Sequence, residues 1–360
     1  MQNLIKRSGI DPVIIDDVIW GCNYQRTYKE NNLARVAAVK AGLPVTVPGI
    51  TIHRNCTSSM SAIQMGFYQI RAGEAECIMA GGSDSMSTAP HMVFNARYGQ
   101  KYGHMEMRDS MWDSLTNLGV GPAMGITAEN VADKYDITRE QMDAYSLRSQ
   151  QRAVAAIDAG RFEEEIIPVT VKTRKSETTY TVDEYPKRNA TLEGLQKLKP
   201  AFKEGGKVTA GNASGMNDAS SGVILMSEEK AKELGCPIIA KVVSVATTGV
   251  EPELMGIGPI SSTKKALEKA GLTVDDIDLF EINEAFSSQC LACQQELGVP
   301  DDKLNVNGGG ISLGHPVGAT GSRIVITLMY ELKRRKQRYG VATLCAGGGM
   351  GTTVVIEMMQ

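Results

Sequence analysis

The feature of this 360-residue sequence that most restricts its fold is an internal duplication. Gly9 is followed seven residues later by Asp16 and then by the apolar run 18–20, and Gly271 is followed seven residues later by Asp278 and an apolar pair. Both patterns are typical of a glycine that ends a helix, followed by a second turn that leads into a strand. The sequence therefore predicts two copies of one α/β unit.

The match between the two copies continues along the chain. Residues 50–52 predict a short strand that is followed by Cys56 and a helix, and residues 304–306 predict a short strand that is followed by His315 and a helix. Each copy then closes with an apolar strand and a glycine turn. We align the first of these closing segments, 77–82, with the second, 343–348. Three matching pairs in the same order support the duplication.

The middle of the chain follows a different pattern. It lacks a steady alternation of strands and helices, and a long helical pattern covers residues 126–159. A capping signal at Thr138 and Gln141 predicts a helix start there, and Gly160 predicts its end. We interpret this stretch as an inserted, lid-like domain. The predicted division is an N-terminal α/β half at 1–87, a loop or lid domain at 88–206, a return to the N-terminal half at 207–236 and a C-terminal α/β half at 237–360.

The duplication also predicts a missing element. An apolar strand at 237–246 and a helix precede Gly271 in the second half, whereas only residues 1–8 precede Gly9 in the first. From this difference we expect that the first half lacks its first strand and that about 26 upstream residues belong to the intact fold. Because a strand removed from a parallel sheet leaves backbone groups unpaired, we expect the first half to be the less stable one.

Composition and charge exclude several classes of protein. The net charge of −3 argues against a dedicated nucleic-acid binder, and the basic run at 333–338 is interpreted as the solvated end of a helix. No apolar stretch approaches the roughly 20 residues that cross a bilayer, and the N-terminal sequence does not resemble a signal peptide. Seven cysteines without a disulfide-like spacing predict a reducing, cytoplasmic compartment. The histidines lack spaced ligand partners, so no metal site is expected.

The duplication also brings candidate catalytic residues together. Cys56 and His315 each follow a strand and precede a helix, whose free N–H groups and partial positive charge lower the pKa of a thiol. A pseudo-twofold axis would place the two helix starts face to face, so that a nucleophile meets a base. Cys345 begins a glycine-rich turn whose backbone N–H groups can approach a ligand closely. These three residues are the predicted centre of the chemistry.

Two other motifs have simpler interpretations. Cys290 and Cys293 form a single CxxC without a second pair, and we interpret them as ordinary buried helix residues. The segment 310–314 matches the GxSxG pattern of a hydrolase nucleophile, but the third member of a triad should lie between the serine and His315. We interpret this match as a coincidence in a glycine-rich chain.

Six ordered motifs are spread along the chain. They are Asn55-Cys56-Thr57-Ser58-Ser59-Met60, Met124-Gly125-Ile126-Thr127-Ala128-Glu129-Asn130, Ala210-Gly211-Asn212-Ala213-Ser214-Gly215, Asn283-Glu284-Ala285-Phe286, Gly314-His315-Pro316 with Gly318-Ala319-Thr320-Gly321, and Cys345-Ala346-Gly347-Gly348-Gly349-Met350-Gly351. Together they resemble the motifs of the thiolases, the acetyl-CoA acyltransferases, and the resemblance covers the whole chain. It implies a five-layered αβαβα thiolase fold built from two similar halves plus a loop domain, usually in dimers or tetramers.

The resemblance implies a role for each catalytic residue. Cys56 matches the nucleophile that carries the acyl group, and His315 matches the base that takes its proton. Cys345 matches the second acid/base, which acts on the α-carbon of the second acyl-CoA. Asn283 matches the residue that holds a water which, with His315, forms one oxyanion site. The N–H groups of Cys56 and Gly347 resemble the other oxyanion site.

The resemblance also implies where the substrate lies. Acyl-CoA and CoA are expected as substrate and product, with no separate cofactor. Ser214 matches a contact to pantetheine, while Lys187 or Arg188 could pair with the CoA phosphates. The expected lining of the pocket is Met124, Met255, Ala285 and Phe286. Ala123 stands where some members of the family carry His, which leaves the preferred acyl-chain length open.

The expected function is therefore that of a thiolase. It condenses two acyl-CoA molecules to a 3-oxoacyl-CoA and CoA, or catalyses the reverse thiolysis, through an acyl-Cys56 intermediate. Two alternatives stay open at this point. One is another condensing enzyme of the same fold, although Cys345 favours a thiolase because decarboxylating relatives tend to use His there. The other is a catalytically poor acyl-CoA-binding or scaffold subunit with a short N-terminal half.

Overall fold

Two four-stranded sheets carry the duplicated units in the computed structural model, which describes residues 1–359. The strands are β1 Asp17–Gly21, β2 Ile50–Ile52, β3 Cys77–Ser85, β4 His91–Val93, β5 Met107–Asp109, β6 Val169–Lys172, β7 Glu177–Tyr180, β8 Asp218–Met226, β9 Ala240–Gly249, β10 Leu279–Ile282, β11 Tyr339–Ala346 and β12 Met350–Met358.

The helices of residues 1–359 are α1 Gln2–Ser8, α2 Leu33–Lys40, α3 Ser58–Arg71, α4 Ser110–Thr116, α5 Met124–Lys134, α6 Arg139–Asp158, α7 Leu192–Gln196, α8 Glu228–Glu233, α9 Gly258–Ala270, α10 Ser287–Leu297, α11 Gly310–Leu313 and α12 Thr320–Arg335. Within these residues, no helix has both the length and the apolar character needed to cross a membrane.

The two main sheets share one strand plan. The first has the order β2-β1-β3-β8 and the second the order β10-β11-β12-β9. In the first sheet β1 runs parallel to β2 and β3, and β8 runs antiparallel to β3. In the second sheet β10 runs parallel to β11, and β12 runs antiparallel to β11. Strand β1 of the first sheet therefore corresponds to β10 of the second, β3 corresponds to β11, and β8 corresponds to β12.

Matching carboxylates confirm the duplication at the level of single hydrogen bonds. Asp16 accepts hydrogen bonds from the backbone N–H groups of Glu76 and Cys77, which start β3, at 2.7 and 2.9 Å. Asp278 accepts the same pair of bonds at the start of β11, from the N–H groups of Arg338 and Tyr339, both at 2.9 Å. The preceding glycines at 9 and 271 end α1 and α9 in the left-handed conformation that the sequence pattern predicts.

This register corrects one part of the sequence alignment. The first residues of β3 and β11, Cys77 and Tyr339, have the same separation along the chain as Ser58 and Thr320, the first residues of α3 and α12. The glycines at 81–82 consequently lie inside β3, whereas those at 347–349 form the turn after β11. The alignment of 77–82 with 343–348 is therefore wrong, because it matched glycine pairs where strand starts should have been matched.

The sheets and helices form the predicted αβαβα layers. Helices α3 and α12 pack between the two sheets, α2 lies on the outer face of the first sheet, and α9 lies on the outer face of the second. Strand β1 shows why both faces of a sheet are apolar. Ile19 joins the central core, while Val18 and Trp20 join the outer core beneath α2, as side-chain alternation along a strand requires.

Contact between α3 and α12 at the centre leaves no space for a side chain. A Cβ atom added at Gly321 would lie 2.5 Å from the backbone nitrogen of Met60. One residue further along α12, the N–H of Ser322 donates a hydrogen bond of 3.0 Å to the hydroxyl of Ser59. The two helix starts therefore approach each other backbone to backbone, as the pseudo-twofold arrangement of the sequence predicts.

The inserted segment between β3 and β8 carries the remaining small elements. The long helical pattern divides into α5 and α6, because Asp136 between them adopts a left-handed φ of 53°. The predicted capping box is confirmed, since Thr138 and Gln141 exchange side-chain-to-backbone hydrogen bonds at the start of α6. The polar stretch further along forms the exposed hairpin of β6 and β7.

Two strand predictions change in detail. The expected strand at 304–306 is reduced to two isolated parallel bridges, one between Leu304 and Phe280 and one between Val306 and Gly308. Strand β9, which begins at Ala240 rather than at position 237, lies at the edge of its sheet and runs antiparallel to β12. Its counterpart would lie at the edge beside β8, so the expectation of a gap within a buried parallel sheet is wrong. Among residues 1–359, no strand pairs with the outer side of β8.

We predict that Gly321→Ala lowers the free energy of unfolding by about 1–3 kcal/mol, because the added methyl group pushes on the backbone of α3. Gly249→Ala is the matched control, since the nearest atom to its added Cβ lies 3.8 Å away and its φ is not positive. Denaturant unfolding of both variants measures the difference. Equal unfolding midpoints for the two variants would contradict the proposed close contact.

Candidate active site

Cys56 lies in the turn between β2 and α3, two residues before the helix begins at Ser58. Asn55, the residue before it, adopts a left-handed φ of 47°, a conformation that Asn tolerates better than most residues. The hydroxyls of Thr57 and Ser58 donate to the backbone carbonyls of Arg54 and Asn55 at 2.8 and 2.7 Å. These local bonds hold the turn that presents the Cys56 thiol.

The glycine turn after β11 closes over this thiol. The side-chain amide of Asn55 donates a 2.7 Å hydrogen bond to the carbonyl of Gly347. In the same turn, the backbone N–H of Gly347, together with the N–H of Cys56 itself, acts to lower the pKa of the Cys56 thiol. A Cβ at position 347 would lie 2.6 Å from a terminal methyl group of Leu118 and 3.3 Å from the sulfur of Met124, so a side chain there would have to displace Leu118. Two N–H groups consequently converge beside the nucleophile candidate.

His315 lies between α11 and α12, and its ring is fixed from one side. Its Nδ1 lies 2.7 Å from the Thr320 hydroxyl, which donates its own hydrogen to the carbonyl of Pro316 at 3.0 Å. The hydroxyl therefore accepts from Nδ1–H, and this leaves Nε2 with a free lone pair. Nε2 is buried and has no hydrogen-bond partner among residues 1–359. This is the tautomer that a base requires.

The position of His315 differs slightly from the repeat expectation. By the spacing of the two helix starts, the counterpart of Cys56 is Gly318, and His315 lies three residues earlier. The backbone N–H of His315 donates to two acceptors, the side-chain oxygen of Asn217 and the carbonyl of Gly215, each at 3.2 Å. The imidazole therefore reaches the site from a loop that the first half does not reproduce.

Asn283 follows β10 and lies beside the imidazole. Its side-chain nitrogen is 3.4 Å from Nδ1 of His315, and its backbone N–H donates to the carbonyl of Thr343 at 3.0 Å. Its side-chain oxygen is buried without a partner, like Nε2 of His315. Two adjacent buried side chains thus each keep one polar atom free to form a hydrogen bond.

Cys345 lies near the end of β11, opposite Gly351 of β12, and is fully buried. It belongs to an apolar cluster that also contains the four residues expected to line the pocket, with Leu115 and Leu118 at its edge. Those four residues are Met124, Met255, Ala285 and Phe286. Cys345 therefore faces an apolar wall of the kind that receives an acyl group.

Burial gives both cysteines and the histidine an uncharged resting state. Burial raises the pKa of Cys56 to about 11, although the N–H groups of Gly347 and Cys56 act in the opposite direction. Burial and the neighbouring Cys56 raise the pKa of Cys345 well above its usual range. Burial, followed by the charge of Arg323, lowers the pKa of His315 to about 4.

These shifts correct the expectation that the helix start lowers the pKa of Cys56. The desolvation of a thiolate outweighs the partial charge of the helix and the two N–H groups. A neutral thiol next to a neutral imidazole cannot supply a standing thiolate. An attack by this sulfur therefore requires a base that takes its proton during the attack.

The remaining predicted contacts fall into two groups. Ser214 lies next to the apolar cluster, because its N–H donates to the carbonyl of Ala285 at 2.9 Å. Lys187 and Arg188 are absent from the apolar cluster, and Arg188 is exposed. The guanidinium of Arg188 pairs with Asp158 at 2.8 Å.

Several residues of the site escaped the sequence reasoning. Asn55 and Thr320 lie inside motifs that were noted, but only the structure shows that they hold Gly347 and His315. Phe202 contacts the pocket residue Phe286 edge to face, with ring centroids 6.4 Å apart. A polar, lysine-rich stretch surrounds Phe202, and no periodicity distinguishes it.

Comparisons with known proteins give the same identification for both halves. Residues 1–229 match the family described as the N-terminal domain of thiolase, and residues 236–358 match the C-terminal domain of thiolase. An acetyl-CoA acetyltransferase of Syntrophomonas wolfei is 49% identical over 364 aligned residues, which cover 100% of this chain and 91% of the relative.

Solved structures show the same similarity. The acetyl-CoA acetyltransferase of Bacillus anthracis superposes with a TM-score of 0.96 at 47% identity, covering 99% of this chain and 91% of the other. Human mitochondrial 3-ketoacyl-CoA thiolase superposes with a TM-score of 0.97 at 44% identity, covering 100% and 91%. A structure of the human enzyme in complex with CoA superposes with a TM-score of 0.96 at 43% identity, covering 99% and 90%.

We predict that His315 makes the fold less stable as the pH falls. Its pKa is about 4 in the fold and about 6.5 when unfolded, so between these values only the unfolded chain binds the proton. The free energy of unfolding should therefore decrease by about 1 kcal/mol between about pH 7.5 and about pH 5.5.

The His315→Ala variant should lose this contribution. Glu281, whose pKa burial raises to about 8, acts with the opposite sign in both proteins and cancels in the difference. Denaturant unfolding at the two pH values gives the comparison. The same pH dependence in both proteins would show that His315 is not held neutral.

Proposed function

The chain belongs to the thiolase family, and we propose that Cys56 is its acylated nucleophile, with His315 and Cys345 as two separate proton carriers. The activity is that of a thiolase, the reversible conversion of two acyl-CoA molecules into a 3-oxoacyl-CoA and CoA. One observation carries the role assignment. Asn55, next to Cys56, donates a 2.7 Å hydrogen bond to the carbonyl of Gly347 from the other half of the molecule, in the turn that follows Cys345, and the N–H of Gly347 acts to lower the pKa of the Cys56 thiol.

Acyl transfer to Cys56 is the first step. As the sulfur of Cys56 attacks the thioester carbonyl, Nε2 of His315 takes the thiol proton, and the N–H groups of Cys56 and Gly347 stabilise the negative oxygen. Collapse breaks the bond to the CoA sulfur, which leaves with the proton from His315. Because the imidazole starts neutral with its proton on Nδ1, it is ready to accept at Nε2.

Carbon–carbon bond formation is the second step. The thiol of Cys345 first gives its proton to the imidazole of His315, which acyl transfer left neutral, and the Cys345 thiolate then removes the α-carbon proton of a second acyl-CoA. The resulting enolate attacks the acyl group on Cys56, the thioester bond to the Cys56 sulfur breaks, and that sulfur takes back the proton from His315. His315 and Asn283, with a water, stabilise the enolate oxygen. A raised pKa makes the Cys345 thiolate a stronger base than an ordinary thiolate. In thiolysis the neutral Cys345 thiol returns that proton.

The apolar cluster supports the proposed position of the substrate. Ser214 adjoins the pocket residue Ala285, and Phe202 and Phe286 form an aromatic corner on the same side. The similar human enzyme has been solved in complex with CoA. We place the pantetheine arm of CoA at Ser214 and the acyl end at Cys345. Lys187 is the better candidate for a phosphate contact, because Arg188 is engaged with Asp158.

The two alternative functions are less well supported. A scaffold subunit has no need of an imidazole with a fixed tautomer and a free Nε2. A decarboxylating condensing enzyme of the same fold would favour a histidine in the place of Cys345. All seven cysteines are unpaired thiols, and the proposed chemistry needs two of them reduced, which supports a cytoplasmic location.

An exposed apolar patch supports self-association. It surrounds β4, β5 and the start of α4, and its largest members are Phe94, Tyr98, Tyr102, Met107 and Trp112. Tyr102 is 95% exposed and Tyr98 is 86% exposed, which is unusual for a cluster of aromatic residues on a monomer. We propose that the protein is a homodimer or homotetramer and that this patch contributes to the assembly.

Light scattering after gel filtration should give a mass of two or four chains. Tyr98→Lys combined with Tyr102→Lys should reduce that mass, because two charges are placed on the patch. Tyr28→Lys is the control, since Tyr28 is 81% exposed but lies outside the patch. A single-chain mass for the unaltered protein would contradict the proposal.

Incubation with acetyl-CoA should place an acetyl group on the peptide that contains Cys56. Cys345→Ala should keep this acetylation while condensation falls by about 10²–10⁴-fold, because a separate acid/base has been removed. Peptide mass mapping and a turnover assay measure the two effects. Cys77→Ala, another fully buried cysteine, is the control for the loss of a core thiol. Acetyl found only on Cys345 would overturn the assignment.

Ala123 precedes Met124 at the start of α5, and we predict that its small side chain allows acyl chains longer than acetoacetyl. One methylene in an apolar pocket is worth about 1–3 kcal/mol, so a matched pocket should favour its chain about tenfold or more. Values of kcat/KM for four-, six- and eight-carbon 3-oxoacyl-CoA substrates test this, with Ala123→Leu expected to shorten the preference. A steep fall after four carbons would rule it out.

A further inference from the structure

Asp84 on β3 is a buried carboxylate that touches both halves of the site. It is 4% exposed, and among residues 1–359 no Lys, Arg or His lies within ion-pair distance of it. One oxygen accepts the backbone N–H groups of Asn23 and Tyr24 at 2.9 and 3.0 Å and lies 3.6 Å from the Cys22 sulfur. N–H donors therefore take the place of a counter-ion.

The other carboxylate oxygen reaches across to the second half. It accepts the backbone N–H of Gly318 at 2.5 Å and the side-chain amide of Asn23 at 3.0 Å. A Cβ at Gly318 would lie 2.6 Å from this oxygen, and a Cβ at Gly82 would lie 2.0 Å from the carbonyl of Gly318. The loop after His315 therefore packs closely against β3, and Asp84 accepts its hydrogen bond at this contact.

Both loops that Asp84 holds adjoin the catalytic side chains. Tyr24 and Val317 belong to one small buried cluster that packs against Cys56. Gly318 is three residues after His315, and Thr320 at the start of α12 fixes the imidazole. A shift of the Gly318 loop would therefore move Nε2 of His315 relative to the thiol.

We propose that Asp84 is a positioning residue that sets the geometry between the Cys56 thiol and the His315 imidazole. The proposal rests on the roles assigned to these two residues in the proposed function. Asp84 need not touch the substrate. It acts because a single carboxylate accepts hydrogen bonds from the loop beside the nucleophile and from the loop that follows the base.

The Asp84→Asn variant should release one of these loops selectively. Its amide oxygen can replace only one carboxylate oxygen, and facing the two backbone N–H groups of Asn23 and Tyr24 preserves more bonds. The amide NH₂ then faces the N–H of Gly318, donor against donor. The loop after His315 is displaced while the first half keeps its contacts. Because a displacement of about 1 Å can cost about 100-fold, kcat should fall by about 10–100-fold with KM little changed.

Asp16→Asn is the matched control. Asp16 also accepts two backbone N–H groups, but at the opposite end of β3, far from either loop. Both variants should lower the melting temperature, and only Asp84→Asn should lower kcat. Gly318→Ala disturbs the same contact from the other side with the carboxylate intact, and it should reproduce the loss of kcat if Asp84→Asn fails to fold.

The rate of Cys56 acylation by acetyl-CoA, followed by intact mass, separates positioning from general damage. Asp84→Asn should slow acylation in the unaltered protein but have no further effect in the His315→Ala background. Equal slowing in both backgrounds, or normal acylation in a folded Asp84→Asn protein, would overturn the proposal. Normal acylation in the Cys56→Ala or His315→Ala proteins would instead overturn the proposed function.

Discussion

The backbone contact between the first turns of α3 and α12 determines the geometry of the whole site. Gly321 lies against Met60 so closely that a methyl group does not fit, and Ser59 binds the N–H of Ser322 across the contact. Cys56 stands two residues before one of these helices and His315 five residues before the other. Any element that separates the helices therefore separates the nucleophile from the base. The outer layers keep the two sheets pressed onto this contact.

The same close packing decides how the chemistry begins. A charged thiolate or imidazolium would lose its hydration in the central layer, and the pKa values of Cys56 and His315 both move toward the neutral forms. Instead of holding these groups charged, the protein fixes the orientation of their hydrogen-bonding atoms. Thr320 fixes the proton of His315 on Nδ1, and the glycine turn at Gly347 supplies an N–H without adding a side chain. The charge needed for reaction is then generated only when a substrate carbonyl is present to receive it.

The sequence predicted the features that depend on local patterns. Gly9 and Gly271 end helices, and the aspartates that follow them cap equivalent strands, because a helix end and a strand start need only a few neighbouring residues. It predicted less well what depends on distant contacts. The position of β9 at a sheet edge, the pKa of Cys56 and the aromatic contact of Phe202 all arise from packing between segments far apart in the chain. The glycine pairs misled the alignment, because glycine recurs for different reasons inside β3 and after β11.

Comparing the two halves residue by residue gives a steric reason why only one of them carries the proposed nucleophile. When the starts of α3 and α12 are aligned, the counterpart of Cys56 is Gly318 and the counterpart of Asp84 is Ala346. A side chain at position 318 would collide with Asp84, and its N–H is already engaged by that carboxylate. In the second half, position 318 therefore serves to bind the first half through Asp84. The titratable side chain of this loop, His315, lies three residues earlier. In β11 the small Ala346 needs no such partner, and Cys345 beside it packs in the apolar cluster. The duplicated frame thus places the proposed nucleophile, base and carbon acid at positions that the repeat does not relate to one another, because the contact between Gly318 and Asp84 occupies the position equivalent to Cys56.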